Sequence, residues 1–271
     1  MHTQNDKGRK NNMACRWFLF YEDKLLLEKE ANEYIIPVGD KPPFETDEPF
    51  AVALEGVPSA QAASLKEEIN ANERFQLVGL RASWDYLPRE WYKRAGKAYQ
   101  LVHWDRHSRF CPQCGAKLVR SSLICKRCKT CHEEYYPVIS PAIIVLIRKG
   151  DEVLLVHARN FKGNFRGLVA GFLEVGETLE ACVCREVREE TGLSIKNLTY
   201  FGSQPWPYPS GIMIGFFADY AGGAIHLQDE ELNAGSFFTR DNLPVLPQKL
   251  SIARRMIDYW LAGEQGEKPE F

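Results

Sequence analysis

Apolar and polar positions alternate along much of this 271-residue chain, and such alternation is typical of half-buried β-strands. In the first third, residues 14–30 predict two short strands around a polar turn at 22–24, and residues 75–83 predict another strand. The alternation becomes regular after Pro137. Further strands are predicted there at 142–159, 168–172, 198–209, 212–227 and 234–246.

Four segments have the composition or the periodicity of helices: 59–72, 91–105, 179–191 and 251–263. The third has defined ends, because Thr178 stands at the N-cap position and Gly192 stands where a glycine ends a helix. Its apolar stripe comes from Leu179, Val183 and Val187, which are spaced four residues apart. The fourth directs four apolar residues toward the core, namely Ile252, Met256, Ile257 and Trp260. Strands around a central helix, closed by a final helix, predict an α/β sandwich.

The third helix also carries a row of carboxylates. Glu186, Glu189 and Glu190 fall at i, i+3 and i+4, so they share one face of the helix. Like charges placed in this way repel each other, and a hard divalent cation such as Mg²⁺ or Mn²⁺ would relieve the repulsion. The alternative is an ordinary charged surface helix, since Arg185 and Arg188 stand nearby to offset the acids.

A cluster of cysteines lies between the two halves of the chain. Cys111 and Cys114 form one CxxC pair, and Cys125, Cys128 and Cys131 form two overlapping candidates for a second pair. Paired CxxC motifs at such a distance are typical of a zinc ribbon, in which four thiolates bind Zn²⁺ tetrahedrally. Disulfides and buried free thiols are the alternatives, but a cytosolic setting disfavours disulfides.

Composition places the chain among soluble globular proteins, because 45% of its residues are hydrophobic and 26% are charged. The first twelve residues are polar and lack the apolar core of a signal peptide, and no apolar run reaches the length of a membrane span. We therefore expect a cytoplasmic protein. A net charge of −2 argues against a dedicated nucleic-acid binder.

The nine fixed positions of one motif provide a resemblance to a known family. Residues 171–193 resemble the box that defines Nudix hydrolases, which reads Gly, five residues, Glu, seven residues, then Arg-Glu-aliphatic-x-Glu-Glu-x-Gly-aliphatic. The matching residues are Gly171, Glu177, Arg185, Glu186, Val187, Glu189, Glu190, Gly192 and Leu193. The resemblance implies a Nudix α/β/α sandwich. The glycines before the helix suit a loop whose backbone must approach metal and phosphate closely.

A second string narrows the resemblance to one branch of the family. Residues 203–209 read SQPWPYP and resemble the string SQPWPFP of the NADH pyrophosphatases, which also remove NAD caps from RNA. Only Tyr208 departs from that string. The cysteine cluster, the YYP at 135–137 and the SIARR at 251–255 are also similar to that branch, so the resemblance covers roughly 110–261.

The sequence pattern predicts a disordered tail at 1–12 and a mixed α+β domain at 13–107, and the resemblance implies a zinc ribbon at 108–136 and a Nudix domain at 137–271. The resemblance also implies that the protein cleaves the diphosphate of NADH or NAD⁺ to nicotinamide mononucleotide and AMP, removes NAD caps from RNA and forms a homodimer. One alternative is a broader hydrolase of ADP-ribose, FAD or dinucleoside polyphosphates. Another is a non-catalytic regulatory protein that carries a zinc ribbon, although the box has lost none of its carboxylates.

Metal ligands are also implied by the resemblance. Glu186 and Glu190 are expected to bind the catalytic Mg²⁺ or Mn²⁺ with Glu189 close by, and these three are the candidate catalytic residues. The side chain of Glu231 and the backbone carbonyl of Ala170 are expected to complete the metal shell, although spacing alone does not separate Glu231 from its neighbour Glu230. Which carboxylate accepts the proton from water is left open. Arg185 is expected to orient the carboxylates through a bidentate pair.

Two further sets of residues follow from the same resemblance. The implied zinc ligands are Cys111, Cys114, Cys128 and Cys131, with Cys125 as a bystander or a substitute ligand. The second set is expected to bind the substrate. Its members are Tyr136, Gln204, Pro205, Trp206, Pro207, Tyr208, Pro209, Ser210, Gly211 and Ala253.

Overall fold

The computed structural model describes residues 14–159, 163–228 and 231–265. The described chain divides into two compact units, with the boundary between Val138 and Ile139. The predicted tail at 1–12 lies outside the described residues. The predicted N-terminal domain and the predicted zinc ribbon both fall in the first unit.

The first unit begins with a seven-stranded sheet in the order β3-β2-β1-β6-β5, with β4 added to β1 and β7 added to β2. Its strands are β1 (Cys15–Tyr21), β2 (Lys24–Glu30), β3 (Glu33–Ile35), β4 (Val38–Gly39), β5 (Phe50–Ala51), β6 (Ala60–Ser64) and β7 (Phe75–Gly79). A 3₁₀ turn at Ala82–Asp85 and helix α1 (Arg89–His107) follow. The predicted strand pair at 14–30 and the helix predicted at 91–105 are confirmed.

The helix predicted at 59–72 is wrong. Residues 60–64 form β6, which pairs in parallel with β1 and in antiparallel fashion with β5. Ala62 and Ala63 are fully buried in this sheet, where a small side chain is accommodated between neighbouring elements. Alanine favours helices in isolation, but pairing with strands that are distant in sequence overrides that weak preference.

A small three-stranded sheet completes the first unit. It contains β8 (Leu118–Ser122), β9 (Cys125–Cys128) and β10 (Glu134–Tyr135) in the order β10-β9-β8. The cysteine pairs lie in and beside these strands, as a ribbon requires.

The second unit contains a six-stranded sheet in the order β14-β15-β11-β12-β16, with β13 paired to β11. Its elements are β11 (Ser140–Lys149), β12 (Glu152–Ala158), β13 (Val169–Phe172), α2 (Leu179–Thr191), β14 (Ser194–Trp206), β15 (Gly211–Gly222), β16 (Leu232–Thr239) and α3 (Ile252–Leu261). Strands β11 and β15 are parallel, whereas the other pairs are antiparallel.

Both faces of this sheet are covered by a helix. Along β11, Ile143, Val145 and Ile147 pack into the cluster that contains α2, whereas Ile144 and Leu146 pack into the cluster that contains α3. A strand buried on both faces reads as an unbroken apolar run, which explains the sequence IIVLI. The predicted α/β/α sandwich is confirmed.

The strand predicted at 198–209 extends only to Trp206 within the string SQPWPYP. Residues 203–206 belong to β14 and pair with residues 211–214 of β15, so only 207–210 form the connecting turn. Gly211 suits its place opposite Trp206, because a Cβ there would lie 3.2 Å from the Trp206 carbonyl oxygen. Across the described ranges of the chain, no helix is long and apolar enough to cross a membrane.

Candidate active site and metal centres

Helix α2 is held rigidly beneath the candidate site. The Thr178 hydroxyl accepts a hydrogen bond from the Ala181 amide at 3.2 Å, and Gly192 ends the helix in the left-handed conformation with φ of 71°. Val183 and Val187 are completely buried against the sheet, which fixes the rotation of the helix about its axis. The opposite face, which carries the glutamates, is therefore presented in one orientation.

A cavity of about 800 Å³ lies above these glutamates. Among the described residues, five carboxylates line it: Glu174, Glu186, Glu189, Glu190 and Glu231. Ala170 of β13 lies in the same lining, so the predicted metal ligands are brought together at one cavity. Glu230, the alternative to Glu231, lies outside the described residues.

Arg185 is hydrogen-bonded to three glutamates of the box. Its Nε and Nη2 atoms donate to the two carboxylate oxygens of Glu177 at 2.6 and 2.9 Å. Nη1 donates to Glu186 at 2.8 Å and to Glu189 at 3.0 Å, and Nη2 also donates to the Phe172 carbonyl at 3.0 Å. The hydrogen bonds from Arg185 lower the pKa of Glu177 to about 2. The pKa of Arg185 is raised in turn, mainly by its hydrogen bonds with Glu177. Arg185 thus orients carboxylates.

Gly171 makes room for the Glu186 carboxylate. A Cβ at position 171 would lie 1.9 Å from Cδ of Glu186, a distance that no two such atoms can adopt. The glutamate therefore lies directly over the backbone of β13, where Ala170 and Gly171 are neighbours. This close approach explains on geometric grounds why glycine begins the box.

The two most buried carboxylates of the site differ in their surroundings: Glu186 is paired with Arg185, whereas Glu190 is close to other carboxylates. Glu186 and Glu190 are only 8% and 5% exposed. Burial raises the pKa of Glu186, and burial together with the charges of Glu186 and Glu231 raises the pKa of Glu190 to about 8. Oxygen ligands crowded in this way, beside a backbone carbonyl, fit a hard divalent cation, which would supply the missing positive charge.

Half of the predicted substrate-binding residues line this cavity. They are Trp206, Tyr208, Pro209, Ser210 and Gly211, all in or next to the turn between β14 and β15. The rings of Trp206 and Tyr208 meet edge to face, with centroids 5.0 Å apart. Trp206 is half-buried at the cavity wall and is not part of the closed core.

The other five lie outside the lining of the cavity. Gln204 is buried and donates through Nε2 to the Leu250 carbonyl at 2.9 Å, so it fastens β14 to the start of α3. Ala253 is buried in the core cluster of α3. Pro205 is exposed and Pro207 is buried. Tyr136 belongs to the first unit, where its hydroxyl donates to Glu134 at 2.8 Å.

Sequence reasoning missed several lining residues, including Arg159 and Gln228. Arg159 directly follows β12, and its amide donates to the Glu231 carbonyl at 2.8 Å. The only local signal for Arg159 was a cation at the end of an apolar strand. Its proximity to Glu231 depends on pairing between segments that are far apart in sequence.

The cysteine cluster has the geometry of a metal site. The sulfur atoms of Cys111, Cys114, Cys128 and Cys131 all lie within 4.8 Å of one another. Three of their separations are 3.5, 3.5 and 3.6 Å. A tetrahedron with metal–sulfur bonds of about 2.3 Å has edges of about 3.8 Å, so these four thiols fit one ion. Cys125 is buried outside the cluster, with its sulfur 3.6 Å from the Lys126 carbonyl oxygen.

Comparison with known proteins agrees with this geometry. Residues 138–260 match the family model of the NUDIX domain, and residues 15–104 match the model of the NADH pyrophosphatase-like rudimentary NUDIX domain. The NAD-capped RNA hydrolase NudC of Enterobacter sp. (strain 638) is 37% identical over 250 residues, which cover 89% of this chain and 91% of that protein. The chain therefore belongs to the Nudix family.

Within that family, the similarity is to proteins named NAD-capped RNA hydrolase NudC. The protein of that name from Pectobacterium atrosepticum is 48% identical over 169 residues, and the matched segment covers 62% of this chain and 65% of the relative. The Pseudomonas aeruginosa (strain LESB58) protein is 44% identical over 172 residues, or 63% of this chain and 62% of the relative. These two matches span less than two thirds of the relatives' length.

The position of Gly171 under Glu186 leads to a prediction about metal binding. Gly171→Ala should leave the protein folded, because the clashing atoms belong to the end of a flexible side chain, but it should displace the Glu186 carboxylate. We expect Mn²⁺ affinity to fall by roughly 10- to 100-fold. Titration calorimetry measures the affinity. Gly222→Ala is the matched control, since a Cβ there meets nothing within 4 Å. Equal Mn²⁺ affinity in both variants would contradict the assignment.

The cysteine geometry leads to a second prediction. Cys111→Ser or Cys131→Ser should lower zinc content and melting temperature together, because binding energy at a structural metal site is folding energy. Cys125→Ser is the control, since Cys125 is buried but lies outside the cluster. Elemental analysis and thermal melts are the measurements. Zinc lost on replacement of Cys125 but retained on replacement of Cys131 would show that the second pair has been chosen wrongly.

Proposed function

We propose that this protein is a metal-dependent hydrolase of the diphosphate bond in NADH and NAD⁺, releasing nicotinamide mononucleotide and AMP, and that it also removes NAD caps from RNA. One observation carries the proposal. Three carboxylates of the Nudix box, Glu186, Glu189 and Glu190, line the same cavity as the Trp206–Tyr208 aromatic pair. A diphosphate at the carboxylate end would therefore hold an attached base within reach of the aromatic end.

The carboxylate end supports the chemistry. Glu186, Glu190 and Glu231, with the Ala170 carbonyl, would hold Mg²⁺ or Mn²⁺. When bound, such ions neutralise diphosphate charge and lower the pKa of a coordinated water. Glu186, Glu189 and Glu190 are the candidates to accept the proton of that water. Arg185 fixes two of these carboxylates through hydrogen bonds of 2.8 and 3.0 Å, so it acts as a positioning residue.

The aromatic end supports the choice of a nucleotide. Trp206 and Tyr208 present flat apolar surface at the cavity wall, and a base can stack on such a surface whatever its hydrogen-bonding edge. A volume of about 800 Å³ lies within the range of about 300–1,000 Å³ usual for small-molecule sites.

Two alternatives remain as outcomes of the test. A broader hydrolase of ADP-ribose, FAD or dinucleoside polyphosphates would use the same metals, and the SQPWPYP string and the names of the relatives favour NAD(H) over these. A non-catalytic zinc-ribbon regulatory protein is disfavoured, because the box carboxylates are all present in the sequence and three of them, Glu186, Glu189 and Glu190, line one cavity.

Three further proposals concern the whole protein. We infer that the cysteine cluster binds a structural Zn²⁺, since its donor set is purely thiolate. A cytoplasmic location is proposed because free thiols persist in that reducing compartment. A homodimer is proposed on the resemblance to NADH pyrophosphatases, and light scattering in solution tests it.

The activity itself is tested by product analysis. The wild-type protein, incubated with Mg²⁺ or Mn²⁺, should convert NADH, NAD⁺ and the NAD cap of a short RNA, and release nicotinamide mononucleotide. Glu190→Gln should reduce turnover by roughly a hundredfold or more while the melting temperature stays near that of wild type, because a ligand charge is removed at nearly constant shape. Faster turnover of ADP-ribose or FAD than of any NAD substrate would favour the broader hydrolase, and unchanged turnover in Glu190→Gln would refute the metal assignment.

A further prediction concerns base recognition. Trp206→Ala should raise the Michaelis constant for NADH by an amount that corresponds to about 1–3 kcal/mol, the value typical of one lost aromatic–base contact. Mn²⁺ affinity should hardly change. Tyr200→Ala is the matched control, since Tyr200 is an exposed aromatic residue on the same strand and outside the cavity lining. A Trp206→Ala protein that melts much earlier but hydrolyses NADH normally would place Trp206 in the core.

A further inference from the structure

A tyrosine hydroxyl lies against the cluster of four thiols in the first unit. The oxygen of Tyr135 is 3.2 Å from the sulfur of Cys111, a distance at which an oxygen and a sulfur atom form a hydrogen bond. Tyr135 does not belong to the set of candidate zinc ligands. Its contact with one of them therefore suggests a role beside the ligands.

Strand pairing and packing hold this hydroxyl in place. Tyr135 ends β10, where it lies opposite Lys126 of β9, the strand that also contains Cys128. The half-buried ring of Tyr135 packs against the small apolar cluster of Cys111, Leu118 and Cys128. The backbone and the ring together point the hydroxyl at Cys111.

Metal binding would set the direction of this hydrogen bond. A thiol and a hydroxyl can each donate, but a thiolate that binds Zn²⁺ has lost its proton. In the zinc-bound state the Tyr135 hydroxyl must therefore donate, and the Cys111 sulfur must accept.

A donor at this position also suits the charge of the site. Four thiolates exceed the charge of one Zn²⁺, so the loaded site carries net negative charge that hydrogen-bond donors can offset. The backbone contributes to the same effect elsewhere in the cluster, since the Cys131 amide donates to the Cys128 sulfur at 3.5 Å.

We infer that Tyr135 is a positioning residue of the zinc site: its hydroxyl donates to the metal-bound Cys111 thiolate, orients it and strengthens zinc binding. Hydrogen-bond partners behind a metal ligand act in this way, because they fix the ligand and tune its electron density. The inference rests on the proposed structural zinc site and is independent of the proposed hydrolase activity.

The test compares Tyr135→Phe with wild type and uses Tyr136→Phe as the matched control, all as full-length protein. Phenylalanine keeps the ring and its packing, so the first variant loses only the hydroxyl. The Tyr136 hydroxyl donates to Glu134 at 2.8 Å, outside the cluster of four thiols. The zinc dissociation constant is measured by competition with a chelator of known affinity. Absorption of the Co²⁺-loaded proteins reports on the sulfur ligands, through the charge-transfer band from thiolate to cobalt.

Tyr135→Phe should raise the zinc dissociation constant by roughly 10- to 100-fold, the usual effect of removing a hydrogen-bond partner behind a metal ligand. Its charge-transfer band should move to longer wavelength, because a sulfur that has lost its donor gives up electron density more readily. Tyr136→Phe should match wild type in both measurements. The inference is overturned by an unchanged zinc dissociation constant in Tyr135→Phe, by weaker zinc binding without a shift of the cobalt band, or by equal losses in both variants.

Failure of this inference can be told apart from failure of the proposals beneath it. Wild-type protein that binds no zinc refutes the zinc site and the role of Tyr135 together. Equal zinc binding by wild type and Tyr135→Phe keeps the zinc site and removes Tyr135. Hydrolysis of NADH is measured separately, and its absence would refute the proposed activity without changing the zinc result.

Discussion

Crowding of carboxylates on one face of α2 is the constraint on which the second unit depends. Glu186 and Glu190 are almost completely buried, although burying an unpaired charge is strongly unfavourable. The protein tolerates this because Arg185 donates to Glu186 and Glu189, and because the glycine at 171 leaves space for the Glu186 side chain. On the proposed function, a divalent cation would supply the positive charge that is still missing.

The energy that holds the charges in place comes from the other side of the helix. Val183 and Val187 pack on β11 and its neighbours, and the opposite face of the same sheet packs on α3. The helix therefore cannot turn away to separate its glutamates without breaking a core layer. A bound cation would instead relieve the repulsion between these glutamates. Packing of the apolar face of α2 thus stabilises a helix whose other face holds like charges close together.

Features that depend on neighbouring residues in the sequence were predicted better than contacts between distant segments. The caps at Thr178 and Gly192 and the apolar stripe define α2 within its own thirteen residues, and the structure reproduces these bounds. The helix predicted at 59–72 is wrong because residues 60–64 form a strand through pairing with β1 and β5. Arg159 was missed for the same reason. Gln204 carries a hydrogen bond to Leu250, 46 residues away, and no spacing rule contains that contact.

The charges in the cavity also link metal binding to substrate binding. Among the described lining residues, five carboxylates face two guanidinium groups, and this acidic excess disfavours a diphosphate. Bound divalent cations would turn this repulsion into attraction, and a diphosphate would in turn supply oxygen ligands to the cations. On the proposed function, each ligand therefore increases the affinity for the other by the same factor, as thermodynamic linkage demands. On that proposal, the acidic cavity would bind a dinucleotide well only when its cations are in place.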